Sequence, residues 1–205
     1  MGLFPMFLKL EGRLCLVVGA GKVGESKIRS LLIAKAVVRV VAPKATPAIL
    51  SWARAGVLTW EPRAFRANDL HETFLVIAAT SSVDVNDSVY REARRRQILC
   101  NAVDDPERCD FYYPAVVRRG ALQVAISTEG KSPALAQKLR RDFEQHLAPF
   151  YAGWIEQLGR IRNRLFKQPL HPDDRRRLLH RWAAQPPFTQ SLPDNLPFME
   201  GAHER

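Results

Sequence analysis

The stretch that most limits what this chain can become is Leu14–Gly24, LCLVVGAGKVG. Leu14 to Val18 run apolar without a break, the pattern of a parallel strand buried on both faces. Gly19, Gly21 and Gly24 follow at once in G-x-G-x-x-G spacing. In that spacing the first glycine makes a tight turn, the second lets the backbone approach a pyrophosphate, and the third lets helix pack on strand. The helix that follows aims its unpaired N–H groups and positive dipole end at the phosphate. Gly19, Gly21 and Gly24 are therefore expected to bind a dinucleotide. The ordinary alternative is a glycine-rich turn with no ligand.

The segments on either side support the first reading. An opening arm over residues 1–12 leads to a strand over about Arg13 to Val18 and a helix over roughly Lys22 to Ala34, with Val23, Ile28, Leu31 and Leu32 close to helical spacing. Val37 to Val41 is a second β-branched strand, ended by Ala42-Pro43, which completes a βαβ unit. A short helix near Ala48 to Ala55, strands at Val57 to Trp60 and Phe74 to Ala79, a helix to about Arg95 and a strand at Ile98 to Ala102 continue the alternation. This is an α/β pattern, a Rossmann-like doubly wound parallel sheet. After Asp104 the pattern changes. Phe111 to Val117 and Leu122 to Ser127 read as two strands around Arg118-Arg119-Gly120, a hairpin or paired extension. Ser132-Pro133 opens a helix to about Leu147, with Ser as cap and Pro at the first helical position. Helices over about Phe150 to Phe166 and Pro172 to Ala184 follow. The expected division is a nucleotide domain over 1–113, a strand-and-helix region over 114–147, a helical domain over 148–185 and an irregular, proline-rich tail over 186–205.

Ligands of an open parallel sheet sit outside the carboxyl ends of its strands. Four loops fall on that edge: Gly19–Gly24, Ala42-Pro43-Lys44, Thr80-Ser81-Ser82 and Asn101–Asp105. Thr80 is thus a cofactor candidate and Asn101 a substrate candidate. Asp104 is placed where a substrate held against a nicotinamide would lie, its alternative being a turn-forming residue before Pro106.

The 205 residues carry 31 Lys and Arg against 21 Asp and Glu, a formal charge of +10. That balance favours an anionic partner, whether nucleic acid, membrane surface or polycarboxylate substrate. Arg118, Arg119 and Lys131 are candidate clamps for carboxylates through charge-assisted hydrogen bonds, with solvated surface charge as the ordinary alternative. Cys15, Cys100 and Cys109 form no C-x-x-C pair, and their odd number suits a reducing cytoplasm. No apolar stretch approaches the roughly 18 residues of a membrane span. The five histidines show no paired ligand spacing, so no metal site is expected. GKS at Gly130–Ser132 fails as a phosphate loop because position 125 is alanine. The arginines between Arg160 and Arg181 read as a solvated helix face rather than a nucleic-acid surface.

Five quoted runs, FPMF, VVGAGKVGESKIRSLL, VIAATSSVDVN, CNAVDDPERCDFYYPAVVRRG and LQVAISTEGKSPALAQKLR, occur here in order. Together they resemble the precorrin-2 dehydrogenase/sirohydrochlorin ferrochelatase family, which also forms the N-terminal half of multifunctional siroheme synthase. The resemblance covers residue 3 to about 145. It implies NAD-dependent oxidation of precorrin-2 to sirohydrochlorin, with insertion of ferrous iron as a second activity in bifunctional members. It also implies a tetrapyrrole substrate, NAD as cofactor, and a homodimer formed through about Tyr113 to Leu147. The family's nucleotide contacts fall at Lys22-Val23 and Pro43-Lys44, and its key aspartate falls on Asp104. One departure is Thr128, which stands where fused enzymes carry a phosphorylated serine. Two other readings compete: a different NAD(P)-linked oxidoreductase on the same fold, and a nucleotide-sensing regulator that binds nucleic acid through the basic helices. The NAVDD loop at Asn101–Asp105 argues against the regulator, which has no evident need of a base there.

Overall fold

The computed structural model describes residues 2–184, in two units divided between Tyr113 and Pro114. In the first unit β1 (Leu14–Ala20), α1 (Lys22–Ile33), β2 (Val37–Ala45), α2 (Pro47–Arg54) and β3 (Thr59–Glu61) are followed by β4 (Leu75–Ala78), α3 (Val83–Arg95) and β5 (Leu99–Ala102). The strands form one parallel sheet in the order β3-β2-β1-β4-β5. This is the expected Rossmann-like architecture. The order reverses between β1 and β4, and the reversal opens the crevice in which such sheets hold ligands.

Period-two alternation along β1 explains the two-sided core. Cys15 and Val17 face one layer with Ile28 and Leu31 of α1 and Ile49 of α2. Leu16 and Val18 face the other, with Val89 and Ala93 of α3. Each buried aliphatic side chain contributes about 1.5–3 kcal/mol relative to exposure. The glycine loop therefore stands on the best-anchored strand of the sheet.

Four local readings are corrected by the structure. β2 does not end at Ala42-Pro43 but runs to Ala45. Its register against β1 slips, Val18 facing Val41 and Ala20 facing Ala45. The slipped segment is held by the Trp60 indole N–H, which donates to the Ala42 carbonyl at 3.1 Å. β3 lies at Thr59–Glu61, two residues later than its apolar residues suggest. Val23 is 47% exposed rather than on the packed face of α1, because the helix begins at Lys22 and turns its first residues away from the sheet. Phe111 does not open the first hairpin strand, which starts at Ala115, and residues 109–111 lie elsewhere. They fold against β5, where Asn101 and Cys109 form an antiparallel bridge and Asp110 exchanges backbone and carboxylate hydrogen bonds with Cys100.

In the second unit β6 (Ala115–Arg119) and β7 (Leu122–Ile126) form an antiparallel hairpin that turns through Gly120 at φ +58°. α4 (Pro133–His146) starts as its sequence demands, with the Ser132 hydroxyl accepting from the Leu135 N–H at 3.2 Å. α5 (Tyr151–Phe166) buries Trp154, Ile161 and Leu165, and α6 (Pro172–Ala184) completes the unit. Arg162 and Arg175 both lie with their guanidinium carbons 4.6 Å from the Phe166 ring centroid. Two of the basic residues thus pack on an aromatic face. The expected tail over 186–205 and His203 lie outside the described residues.

Candidate functional site

The three glycines of the β1–α1 loop differ in what surrounds them. Gly19 has φ +104°, and a Cβ there would lie 2.3 Å from the Ala79 carbonyl oxygen. At Gly24 a Cβ would meet the Gly19 oxygen at 2.4 Å. These two are glycines because backbone passes against backbone. Gly21 is exposed, with nothing within 4 Å of the position a Cβ would take. Packing therefore leaves room at Gly21 for a ligand to approach the main chain.

The helix ends around the edge sharpen the contrast. α2, α3 and α4 are capped by Thr46, Ser82 and Ser132, whose hydroxyls accept a first-turn N–H. α1 has Gly21 at its cap and no side-chain acceptor. Its first N–H groups thus have no internal partner and point to the carboxyl edge. The acid of that first turn, Glu25, is engaged elsewhere, accepting from the Thr46 hydroxyl at 2.8 Å. An open glycine cradle over an uncapped helix start fits a pyrophosphate. Lys22, Val23, Pro43 and Lys44 all stand exposed around it.

Thr80 is placed differently from expectation. Its N–H is taken by the Asn86 carboxamide oxygen at 3.2 Å, and its hydroxyl donates to the same oxygen at 2.8 Å. Its polar groups hold the β4–α3 turn in shape and are not free for a cofactor. Asn101 is likewise corrected. It is buried, and its amide donates to the Phe111 carbonyl at 2.8 Å and the Cys109 sulfur at 3.3 Å. It fastens the segment after β5 rather than meeting a substrate.

That segment singles out one carboxylate. Val103 donates to the Ala78 carbonyl at 2.9 Å, so the loop after β5 continues beside β4. Asp105 is paired with Arg108, whose Nε also reaches Asp87 of α3 at 3.1 Å. Asp110 accepts from the Cys100 N–H. Asp104 is exposed, makes no hydrogen bond or ion pair among the described residues, and sits in the left-handed region at φ +63°. Aspartate tolerates that conformation better than most residues. The geometry leaves Asp104, alone of the loop's aspartates, available to accept a proton from a ligand on this edge.

The sequence reading passed over one charged residue on the inner face of α1. Lys27, half-buried on α1, has its ammonium 3.7 Å from the centre of the Tyr113 ring. Burial lowers its pKa, while the charges of Asp104 and then Cys109 act against that shift. A signal was present: Lys27 lies on the helical row Gly24–Ile28–Leu31, the buried face of α1. None of the three cysteines is an activated thiol. Burial pushes Cys15 up to about 11 and Cys100 up to about 12, and raises Cys109 as well.

The other substrate candidates belong to the second unit. Arg119 caps α4, its guanidinium donating to the Leu147 and Glu144 carbonyls at 2.7 Å each, which corrects its reading as a free clamp. Lys131 is exposed and 3.6 Å from Glu129. Arg118 is exposed and unpaired among the described residues. Among the described residues no group of three or more His, Cys, Asp or Glu side chains converges, and no helix is long and apolar enough to cross a membrane.

A family model described as putative NAD(P)-binding matches residues 6–115. The chain belongs to this NAD(P)-binding family. A second model, described as the sirohaem biosynthesis protein central region, matches residues 119–146. "Siroheme synthase 2" of Serratia proteamaculans is 40% identical over 95% of this chain and 42% of its own length. "Siroheme synthase 1" of Aeromonas hydrophila is 42% identical over 80% of this chain and 36% of its own. The chain thus spans about two fifths of such curated relatives. A solved structure described as SirC, precorrin-2 dehydrogenase, is 27% identical with a TM-score of 0.76, and the likeness covers 87% of this chain and 88% of that one.

Proposed function

We propose that this chain oxidises precorrin-2 to sirohydrochlorin with NAD as hydride acceptor. What carries the reading is the placement of Asp104, unpaired, on the same sheet edge as the open Gly21 cradle, in a chain resembling a precorrin-2 dehydrogenase along most of its length. NAD when bound supplies the hydride acceptor. The first-turn N–H groups of α1 and the loop Gly19–Gly24 hold its pyrophosphate, with Lys22, Val23, Pro43 and Lys44 around them. The macrocycle loses one hydride and one proton, and Asp104 takes the proton, a contribution of about 10²–10⁴-fold for a well-placed base. Ferrous iron is the substrate of a second reaction at this edge, in which Asp104 accepts protons from the pyrrole nitrogens. Arg118 and Lys131 of the second unit remain candidates for substrate carboxylates, Lys131 by exchanging its ion pair with Glu129.

A homodimer through residues 113–147 belongs to the same reading, supported by Leu135 and Phe143 of α4, exposed at 47% and 43%. A cytoplasmic setting is supported by three free cysteines. The test is anaerobic incubation with precorrin-2 and NAD, following NADH and sirohydrochlorin by absorbance. Equal formation of the two is expected, and absence of both overturns the dehydrogenase reading. Sirohydrochlorin with ferrous iron and no NAD tests metal insertion separately.

A further inference from the structure

The carboxyl edge carries a second feature next to the glycine cradle. β1 and β2 pair residue for residue up to Val18 and Val41 and resume at Ala20 and Ala45, so Gly19 alone stands across from Ala42, Pro43 and Lys44. A strand with surplus residues against its partner bows out of the ladder. The bowed segment is an arch beside the β1–α1 loop, buried at Ala42 and exposed at Pro43 and Lys44.

Both feet of the arch are tied down. At the far foot the Thr46 N–H donates to the Ala20 carbonyl at 3.1 Å, and the Thr46 hydroxyl donates to Glu25 of α1 at 2.8 Å. At the near foot the Trp60 indole N–H donates to the Ala42 carbonyl at 3.1 Å. β3 brings Trp60 into place by pairing it with Val40. Its ring is half-buried against the cluster that holds Val40 and Ala42. An indole N–H can only donate, and here its partner is a carbonyl at the foot of the bulge.

The end of the second strand is where folds of this kind meet the ribose of adenosine, ordinarily through an acid. Here the residues are Val41-Ala42-Pro43-Lys44, with no acid among them. Glu61, which β3 sets opposite Val41, is paired with Arg63. Contact with the ribose therefore falls to the arch itself, whose main chain and Pro43 ring cannot swing to meet a ligand. We propose that Trp60 is a positioning residue for the dinucleotide: by pinning the Ala42 carbonyl it holds the Pro43-Lys44 arch as a preformed wall for the adenosine ribose. The proposal rests on the reading of the Gly19–Gly24 loop as the pyrophosphate cradle. Fixing the wall beforehand removes an ordering cost from the binding step.

Calorimetric titration of the full chain tests this without turnover. Trp60→Phe keeps a ring against the core and deletes the donor. It should bind NAD about 3–30-fold more weakly than wild type. ADP, which carries the adenosine ribose, should weaken by the same factor, while nicotinamide mononucleotide, which lacks it, should bind as to wild type. Trp52→Phe is the control for packing, because Trp52 lines the same cluster but its ring lies under Arg29. It should leave all three affinities in place. Pro43→Gly keeps the Trp60 bond and loosens the arch from within, so it should match Trp60→Phe even where the latter melts too early to titrate. With turnover in hand, Trp60→Phe should raise KM for NAD and leave kcat unchanged, the pattern of lost uniform binding. A folded Trp60→Phe, or Pro43→Gly, that binds NAD within about twofold of wild type overturns the proposal. So does equal weakening of ADP and nicotinamide mononucleotide, or a Trp52→Phe chain as weak as Trp60→Phe. Failure of the cradle reading shows itself differently, as NAD affinity untouched by Gly21→Asp.

Discussion

Replacing Gly21 by aspartate should separate ligand binding from folding. The site has space for a side chain, and its backbone, at φ −78° and ψ −173°, is the extended conformation that capping residues adopt. Aspartate is a better cap than glycine by a few tenths of a kcal/mol, roughly. Its charge gains about 0.3–1 kcal/mol more from the dipole of α1. The ligand-free variant should therefore melt about 1–4 °C above wild type, taking about 2–4 °C per kcal/mol for a chain of this size. Binding should move the other way. A carboxylate about 4 Å from a phosphate charge is repelled by ~4 kcal/mol at an effective dielectric of 20, about a 10³-fold loss of affinity. Gly19→Ala supplies the contrast. A left-handed alanine costs about 1–2 kcal/mol and the clash with Ala79 about 1–3 kcal/mol, so it should melt at least about 4 °C early. Thermal melting without dinucleotide and calorimetric titration with NAD measure the two effects. If Gly21→Asp binds NAD within threefold of wild type, or melts as early as Gly19→Ala, the loop does not hold the pyrophosphate as described.

Three further outcomes are expected. Asp104→Ala should lower dehydrogenase turnover by about 10²–10⁴-fold with NAD affinity unchanged, whereas Asp105→Ala should cost less than about tenfold and mainly loosen Arg108; steady-state kinetics of both variants decide. The kcat/KM with NAD should exceed that with NADP, although Lys44 stands where an acid for the ribose would be usual, and comparable values would reverse that assignment. Asp69→Asn should destabilise the chain by about 3 kcal/mol, because the buried carboxylate is gripped by Arg63 and accepts from the Arg66 N–H. Burial alone would raise the Asp69 pKa, but those bonds and the charges of Arg63 and Arg39 hold it below the usual carboxylate value. Its contribution is therefore present above the unfolded carboxylate pKa and lost as pH falls through the folded one. A melting temperature of wild type that falls no faster with acid than that of Asp69→Asn would contradict this.

Residues whose role is local were legible in the sequence. The apolar runs of β1 and β4, the glycine spacing and the Ser132-Pro133 helix start each follow from neighbours within a few positions. What escaped was set by distant partners. The tail of β2 depends on the Trp60 indole reaching Ala42, 18 residues back. Asn101 reads as a polar residue at a ligand edge until Phe111 folds over it. Lys27 looks like any surface lysine until Tyr113, far along the chain, is brought beneath its ammonium. Arg119 offers a charge that the sequence assigns to solvent or substrate, while α4, ending at His146, claims it for unpaired carbonyls.

That last arrangement has a topological consequence. Arg119 bonds to Leu147 across a separation of 28 residues, so one guanidinium fastens the two ends of the segment 119–146 recognised as the sirohaem central region. Closing a loop of that length opposes about 3 kcal/mol of chain entropy. Two charge-assisted bonds of about 1.5–3 kcal/mol each are of the same size. The hairpin turn, β7 and α4 are thus clasped into a ring without a covalent link, both ends held by one guanidinium.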